Sequence, residues 1–153
     1  MIPRTKITSK MEDYLTTIHH LCEEDGVARV KGIAERIKVT NASVVGALKN
    51  LKRRGLVQQE RYGYVRLTEH GQRVASSVIH RHEVLSNFFE GILDLDAEIA
   101  GRDACKIEHA VSPETVRRIK ALSEFIQKRP KGKSGWKKEF SRFCGEFEDG
   151  KAK

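Results

Sequence analysis

The chain has 153 residues, a mean hydropathy of −0.52 and a formal net charge of +8. That length supports one or two small domains with real cores, and no apolar run approaches the length of a membrane span. Three widely spaced cysteines (Cys22, Cys105 and Cys144) argue against a disulfide framework, and no C-x-x-C zinc spacing is present. With an N-terminus that lacks an apolar leader, they predict a cytoplasmic protein with reduced thiols. The positive charge is concentrated: ten Lys/Arg between Arg29 and Arg66 stand against two acids, Glu35 and Glu60. A basic block inside a folded region is an electrostatic footprint for a polyanion.

Residues 1–9 read as a short basic arm. From Lys10 to Glu24 the apolar residues Met11, Tyr14, Leu15, Ile18, Leu21 and Cys22 recur at spacings of three and four, predicting an amphipathic helix that Gly26 ends. Asp13, Thr16, Thr17 and His20 lie off that stripe. A short helix follows in K-G-I-A-E-R-I, with Ile33, Ala34 and Ile37 inward, then a tight turn at Lys38–Val39. Thr40 caps the next helix and Gly55 closes it, with Val44, Val45, Leu48 and Leu51 predicted as its buried stripe. Alternation around Val57–Arg61 and Tyr64–Thr68 predicts two strands turning about Tyr62–Gly63. Helix, short turn, helix and basic hairpin together describe a winged helix-turn-helix, in which the second helix enters the major groove and the hairpin touches phosphate.

Thr68 caps a long helix to about Glu90, and a turn leads to a helix over Asp96–Ala110. Ser112 and Pro113 open another, with Thr115 where a full capping box would have Glu or Gln. It runs to about Lys128, with Val116, Ile119, Leu122, Phe125 and Ile126 predicted inward, and is broken by R-P-K-G-K-S-G. A last helix carries Trp136, Phe140, Phe143, Cys144 and Phe147, and the tail reads as frayed.

Cys105, Glu108 and His109 sit at i, i+3 and i+4, so on a helix their side chains meet on one face. Thiolate, carboxylate and imidazole together suit a divalent transition metal. The same pattern also arises as a solvated helix face with a core cysteine. Three ligands leave a coordination sphere incomplete, and Asp13 and His82 are the best distant candidates to add to it.

Six motifs in order resemble one family. They are M-E-D-Y-L-x-x-I at Met11–Ile18, V-x-G-I-A-E-R at Val30–Arg36, L-x-x-x-G-L-V at Leu51–Val57, Y-G-x-V-x-L-T at Tyr62–Thr68, R-H-E-x-L at Arg81–Leu85 and A-C-x-x-E-H-x-x-S at Ala104–Ser112. Over roughly residues 10–115 the chain resembles the metal-dependent repressors of the diphtheria toxin repressor and manganese transport regulator group. The resemblance implies a mostly α fold, with a winged helix-turn-helix DNA-binding domain over residues 1–70 and an α-helical metal-binding and dimerisation domain over 71–153. It implies the short form, without a C-terminal SH3-like domain. It further implies a homodimer on a double-stranded DNA operator, repressing metal-uptake genes when Fe(II) or Mn(II) binds, with Zn, Co or Ni as alternatives in vitro.

Carried over by position, Asp13, His82, Cys105, Glu108 and His109 are the implied ligands. Thr16 falls where manganese-type members place a Glu, and His20, one turn on, is a candidate to stand in for it. Ser86 and Gly101 fall where iron-type members complete a second site, which neither can do. His19, His70 and His80 read as structural. The resemblance places base-reading at Thr40, Ala42, Ser43 and Gly46, beside Asn41 on the exposed start of the recognition helix. Lys49, Arg53, Arg61, Tyr62 and Arg66 are phosphate candidates, with Arg29 and Lys31 next to them. The mechanism expected is order by cross-linking: an ion shared by Asp13 and the later ligands sets the spacing of two recognition helices.

A winged-helix regulator answering to a thiol oxidant at Cys105 or to an organic ligand fits the same residues, given the donors missing at Thr16, Ser86 and Gly101. A metallohydrolase using Glu108 as a base is disfavoured, since HExxH, a phosphate loop and a nucleophile motif are all missing. A bare dimerisation module leaves the basic block unexplained. The chain is therefore expected not to be an enzyme.

Overall fold

The structure, a computed structural model, describes residues 7–128 and 135–148. Residues 1–6 of the basic arm, the break at 129–134, the tail from 149 and the side chains of Phe147 and Glu148 lie outside the described residues. The chain divides into two compact units, Met1–His80 and Arg81–Lys153.

The first unit opens with α1 (Ser9–Asp25), whose first-turn amides are met by the Thr8 hydroxyl, 3.3 Å from the Met11 nitrogen. It ends at Gly26, which takes the left-handed φ of 76° that a side chain would resist. A two-residue strand β1 (Ala28–Arg29) leads into α2 (Val30–Ile37), and Lys38 makes the left-handed turn to α3 (Asn41–Arg53). The end of α3 is a Schellman turn: the Leu56 amide reaches the Leu51 carbonyl at 3.0 Å and the Gly55 amide reaches Lys52 at 2.9 Å. Strands β2 (Val57–Gln59) and β3 (Tyr64–Leu67) form the hairpin, with Val57 opposite Leu67 and Gln59 opposite Val65.

The hairpin is the one the sequence predicts, but the sheet has a third strand. β1 pairs antiparallel with the outer side of β3, giving the order β1-β3-β2. Two residues carry no period-2 signal, so V-A-R-V could not be read as a strand. The core joins Tyr14, Leu15 and Ile18 of α1 to Ile33, Val44, Leu51, Leu56 and Val65, all at most 1% exposed. Three residues predicted inward are exposed instead: Val45 at 41%, beside a fully buried Val44, and Leu122 at 46% and Phe125 at 58% further along the chain. At about 100° per residue, Val44, Leu48 and Leu51 share one stripe, and Val45 lies a quarter-turn off it.

Helix α4 (Glu69–Gly91) begins at Thr68, whose hydroxyl donates to the Gly55 carbonyl at 2.6 Å and accepts from the Gly71 amide at 3.1 Å. This seats the first turn of α4 directly on Leu56. A Cβ added at Gly71 would lie 1.9 Å from the Leu56 carbonyl oxygen. The division between the units falls within α4.

The second unit continues with α5 (Ala97–Ile107), α6 (Pro113–Gln127) and α7 (Gly135–Glu148). Asp96 and Ser112 cap α5 and α6 through side-chain oxygens. Val84, Leu85, Ile92, Ala100, Ala104 and Val116 are its buried apolar residues. Asp94, in the α4–α5 turn, receives the Lys137 ammonium of α7 at 3.2 Å. Among the described residues no helix is long and apolar enough to cross a membrane.

The two helical glycines of the first unit that differ most in surroundings should respond oppositely to alanine. Gly71→Ala forces backbone apart and is expected to cost about 1–3 kcal/mol in urea unfolding. Gly46→Ala meets nothing within 4 Å and is expected to gain about 1 kcal/mol from helix propensity.

Candidate metal centre and nucleic-acid interface

Helix α5 was expected to reach Ala110 but stops at Ile107, with Glu108 as its C-cap and His109 in the turn beyond. The carboxylate of Glu108 is 7% exposed, and it is the one buried charged residue among those described. Burying a carboxylate is costly unless it is paired. Its Oε2 lies 2.7 Å from His82 Nδ1, and its Oε1 lies 3.5 Å from His109 Nε2. Arg81, the residue before His82 on α4, donates from Nε to the Glu108 main-chain carbonyl at 2.7 Å. So one helix supplies an imidazole and a clamp on the backbone, and the end of another supplies a carboxylate and a second imidazole.

An oxygen and two nitrogen donors at such separations fit a divalent transition ion, and the buried carboxylate supplies the negative charge such an ion needs. The hydrogen bond from His82, with the His109 imidazole close to the other oxygen, also compensates Glu108 without a ligand. The donors are therefore close to one another with or without a ligand.

The remaining sequence-predicted positions are placed as follows. Cys105 lies one turn earlier on α5 with an exposed side chain. Asp13 is half-buried on α1 of the first unit. The Thr16 hydroxyl donates to the Asp13 main-chain carbonyl at 3.1 Å, a bond within the helix. His20 is exposed, its ring edge-on to that of His19 at 5.6 Å between centroids. His19 instead meets the Gln72 amide through Nδ1 at 2.9 Å. Ser86 is half-buried, and Gly101 has open space where a side chain would begin. Cys22 is held away from thiolate chemistry: burial pushes its pKa up, and its Sγ lies 3.7 Å from the Val65 carbonyl oxygen. Sequence reasoning missed Arg81, although it stands inside the R-H-E-x-L motif.

The basic surface is built on α3 and the hairpin. Thr40, Asn41, Ala42, Ser43, Gly46, Lys49 and Arg53 are all exposed. Thr40 Oγ1 accepts from the Ser43 amide at 3.2 Å and shares a hydrogen bond with the Ser43 hydroxyl at 3.0 Å. The hydroxyls expected to read bases therefore also cap the helix. At the hairpin tip Arg61 is exposed and Tyr62 is 91% exposed, with a left-handed φ of 67° followed by Gly63 at 75°. Arg66 is paired across the hairpin with Glu60 at 3.2 Å, which offsets part of its charge. The Arg29 guanidinium lies 4.9 Å over the Tyr64 ring and donates to its hydroxyl at 3.0 Å.

Helix-turn-helix, wing and basic face define a DNA-binding regulator, and the His–Glu–His cluster is its candidate metal centre. Two family models match the chain: the iron dependent repressor N-terminal DNA binding domain over residues 6–65, and the iron dependent repressor metal binding and dimerisation domain over residues 68–137. The chain is 36% identical to the HTH-type transcriptional regulator MntR of Shouchella clausii (strain KSM-K16), over 78% of this chain and 83% of that one. It is 34% identical to the regulator of the same name from Bacillus subtilis (strain 168), over 78% and 84%.

Among solved structures, a manganese-dependent transcriptional repressor in complex with manganese aligns at a TM-score of 0.69 and 32% identity, covering 78% of this chain and 55% of that one. The manganese regulator SloR aligns at 0.67 and 30%, covering 79% and 55%. The chain thus spans about half the length of these two solved chains. The chain belongs to the iron-dependent repressor family, and it is a metal-dependent, DNA-binding transcriptional regulator.

The thiols should separate by accessibility. In chelator at pH 8, an alkylating reagent is expected to modify Cys105 within minutes and Cys22 at least tenfold more slowly, as read by peptide mass spectrometry. Protection of Cys105 on adding Mn(II) or Zn(II) would make it a donor; unchanged labelling would leave it outside the coordination sphere.

Proposed function

We propose that the protein is an Fe(II)- or Mn(II)-responsive repressor of metal-uptake genes, with His82, Glu108 and His109 as the ligand core, Asp13 as the donor from the DNA-binding unit and Cys105 as a further candidate. The observation that carries this is the buried Glu108 carboxylate with an imidazole facing each oxygen. A bound divalent ion would supply the positive charge that a buried carboxylate facing two imidazoles calls for. The mixed oxygen and nitrogen set suits Mn(II) and Fe(II), while affinity alone would favour later metals. Similarity to solved structures of a manganese regulator and of a manganese-dependent repressor supports the choice.

The chain's own residues account for how occupancy would reach DNA. Asp13 stands on α1, which packs on α2, α3 and β3 within one core. Fixing its carboxylate therefore fixes the recognition helix α3 rather than a loop. Arg81 holds the Glu108 backbone, so the carboxylate is aimed before any ligand arrives. In a dimer, orienting each DNA-binding unit sets the distance between two recognition helices, and only one spacing suits half-sites a whole number of turns apart. We assign the homodimer contact to the second unit, where Leu122 (46%) and Phe125 (58%) of α6 are large apolar side chains exposed to solvent. The function is regulatory, and the surroundings of Glu108 serve ligand binding rather than catalysis.

Two measurements test this. Calorimetric titration with Mn(II) and with Fe(II) under anaerobic conditions is expected to lose at least tenfold in affinity for His82→Ala and Glu108→Gln, with chelation abolishing specific operator binding. Equal affinity in both variants would remove the site. Leu122→Glu with Phe125→Glu is expected to shift the dimer to monomer in light scattering and to weaken operator binding, while helical content stays the same.

A further inference from the structure

We infer that Val45 is a sequence-reading residue, its isopropyl group discriminating a thymine by contact with the 5-methyl in the major groove. The inference rests on the proposal that α3 is the DNA-reading helix, and it names what that helix recognises.

The position is unusual for a packing residue. Val45 is 41% exposed, whereas its neighbour Val44 is fully buried and completes the core stripe with Leu48 and Leu51. A β-branched apolar side chain is a weak choice for an exposed helix position, since it loses rotamer freedom there and hides no surface. Ala42, Val45, Gly46 and Lys49 fall at i, i+3, i+4 and i+7, on the solvent side of α3. In order they present a methyl, an isopropyl, a hydrogen and an ammonium. Nothing at 42, 45 or 46 can make the paired hydrogen bonds by which guanine or adenine edges are read. The hydroxyls of Thr40 and Ser43 at the start of the helix are hydrogen-bonded to one another. The feature of the groove that an isopropyl group complements is the thymine methyl.

Gly46 supports the same conclusion. A Cβ there would meet nothing within 4 Å, so no packing demands glycine. Its effect is on the outer surface, where a missing side chain beside Val45 lets a partner approach the helix backbone closely. The surrounding charge selects that partner. Lys49, Lys52, Arg53 and Arg61 are all exposed around the patch. Cations ringing a small apolar contact fit a duplex, whose phosphates flank the groove floor.

The test uses the full chain loaded with Mn(II). A pool of duplexes with a randomised 20-base-pair centre is selected for binding, with a chelated sample as control. Each thymine of the selected duplex is then replaced singly by deoxyuridine, which removes only the methyl. The natural chain is expected to lose about fourfold in affinity at one thymine per half-site, the effect of one buried methyl, and little at the others. Val45→Ala is expected to bind thymine and deoxyuridine equally at that position, with unchanged affinity and salt dependence on unrelated duplex DNA. Val45→Thr, which keeps one methyl, should retain part of the discrimination.

Selected duplexes whose deoxyuridine forms all bind as tightly as the parent would overturn the inference while leaving metal-dependent DNA binding intact. So would a Val45→Ala chain that keeps the preference. Absence of any Mn(II)-dependent duplex binding would overturn both proposals together.

Discussion

A carboxylate removed from water has to be compensated, and the second unit is arranged around the compensation at Glu108. Its two oxygens face two imidazoles, and its own carbonyl is held by Arg81. His82 is 39% exposed at its side chain, so the pair is screened and contributes well below the ~3–5 kcal/mol lost on breaking a fully buried pair. That weak internal pairing matters to a sensor. Groups locked into a strong salt bridge would resist a ligand; on the proposed reading, His82 and Glu108 would exchange one shared hydrogen bond for coordination. The helices around them, capped at Asp96 and Ser112, hold the donors in place without using the donors' own energy.

The first unit is stiff for independent reasons. Its core gathers side chains from α1, α2, α3, the start of α4 and the sheet, and its turns are fixed by backbone geometry: left-handed Gly26 and Gly55, and the Thr68 hydroxyl reaching back to Gly55. The close seat of Gly71 on Leu56 ties the start of α4 to the end of α3. On the proposed reading, a donor on α1 would act on a unit held by one continuous core.

Much of this was legible in the sequence, because helices with a 3.6-residue apolar period declare both their type and their inner face. The caps at Thr40 and Ser112, the glycine stops and the hairpin about Tyr62–Gly63 all follow from local chemistry. The misses have local causes too. β1 is too short to show alternation and exists through its pairing with β3. Val45 was counted inward because it is apolar, although helical rotation carries it outward. Arg81 was passed over because a basic residue beside a histidine carries no signal until the carbonyl it binds is in view. Cys105 lies inside α5 next to buried Ala104, and spacing alone does not say which of the two faces the core.

The Arg29 guanidinium illustrates how the nucleic-acid face is prepared. Stacked on Tyr64 and hydrogen-bonded to its hydroxyl, it is already immobilised on the sheet, while Lys49 on α3 projects freely into solvent. A cation held still beforehand surrenders little rotamer freedom when a phosphate arrives, whereas a free lysine gives up most of its own. On the proposed reading, phosphate contact through the β1 edge is preorganised and contact through the helix is adaptable, so the sheet would engage a duplex before the recognition helix settles on it.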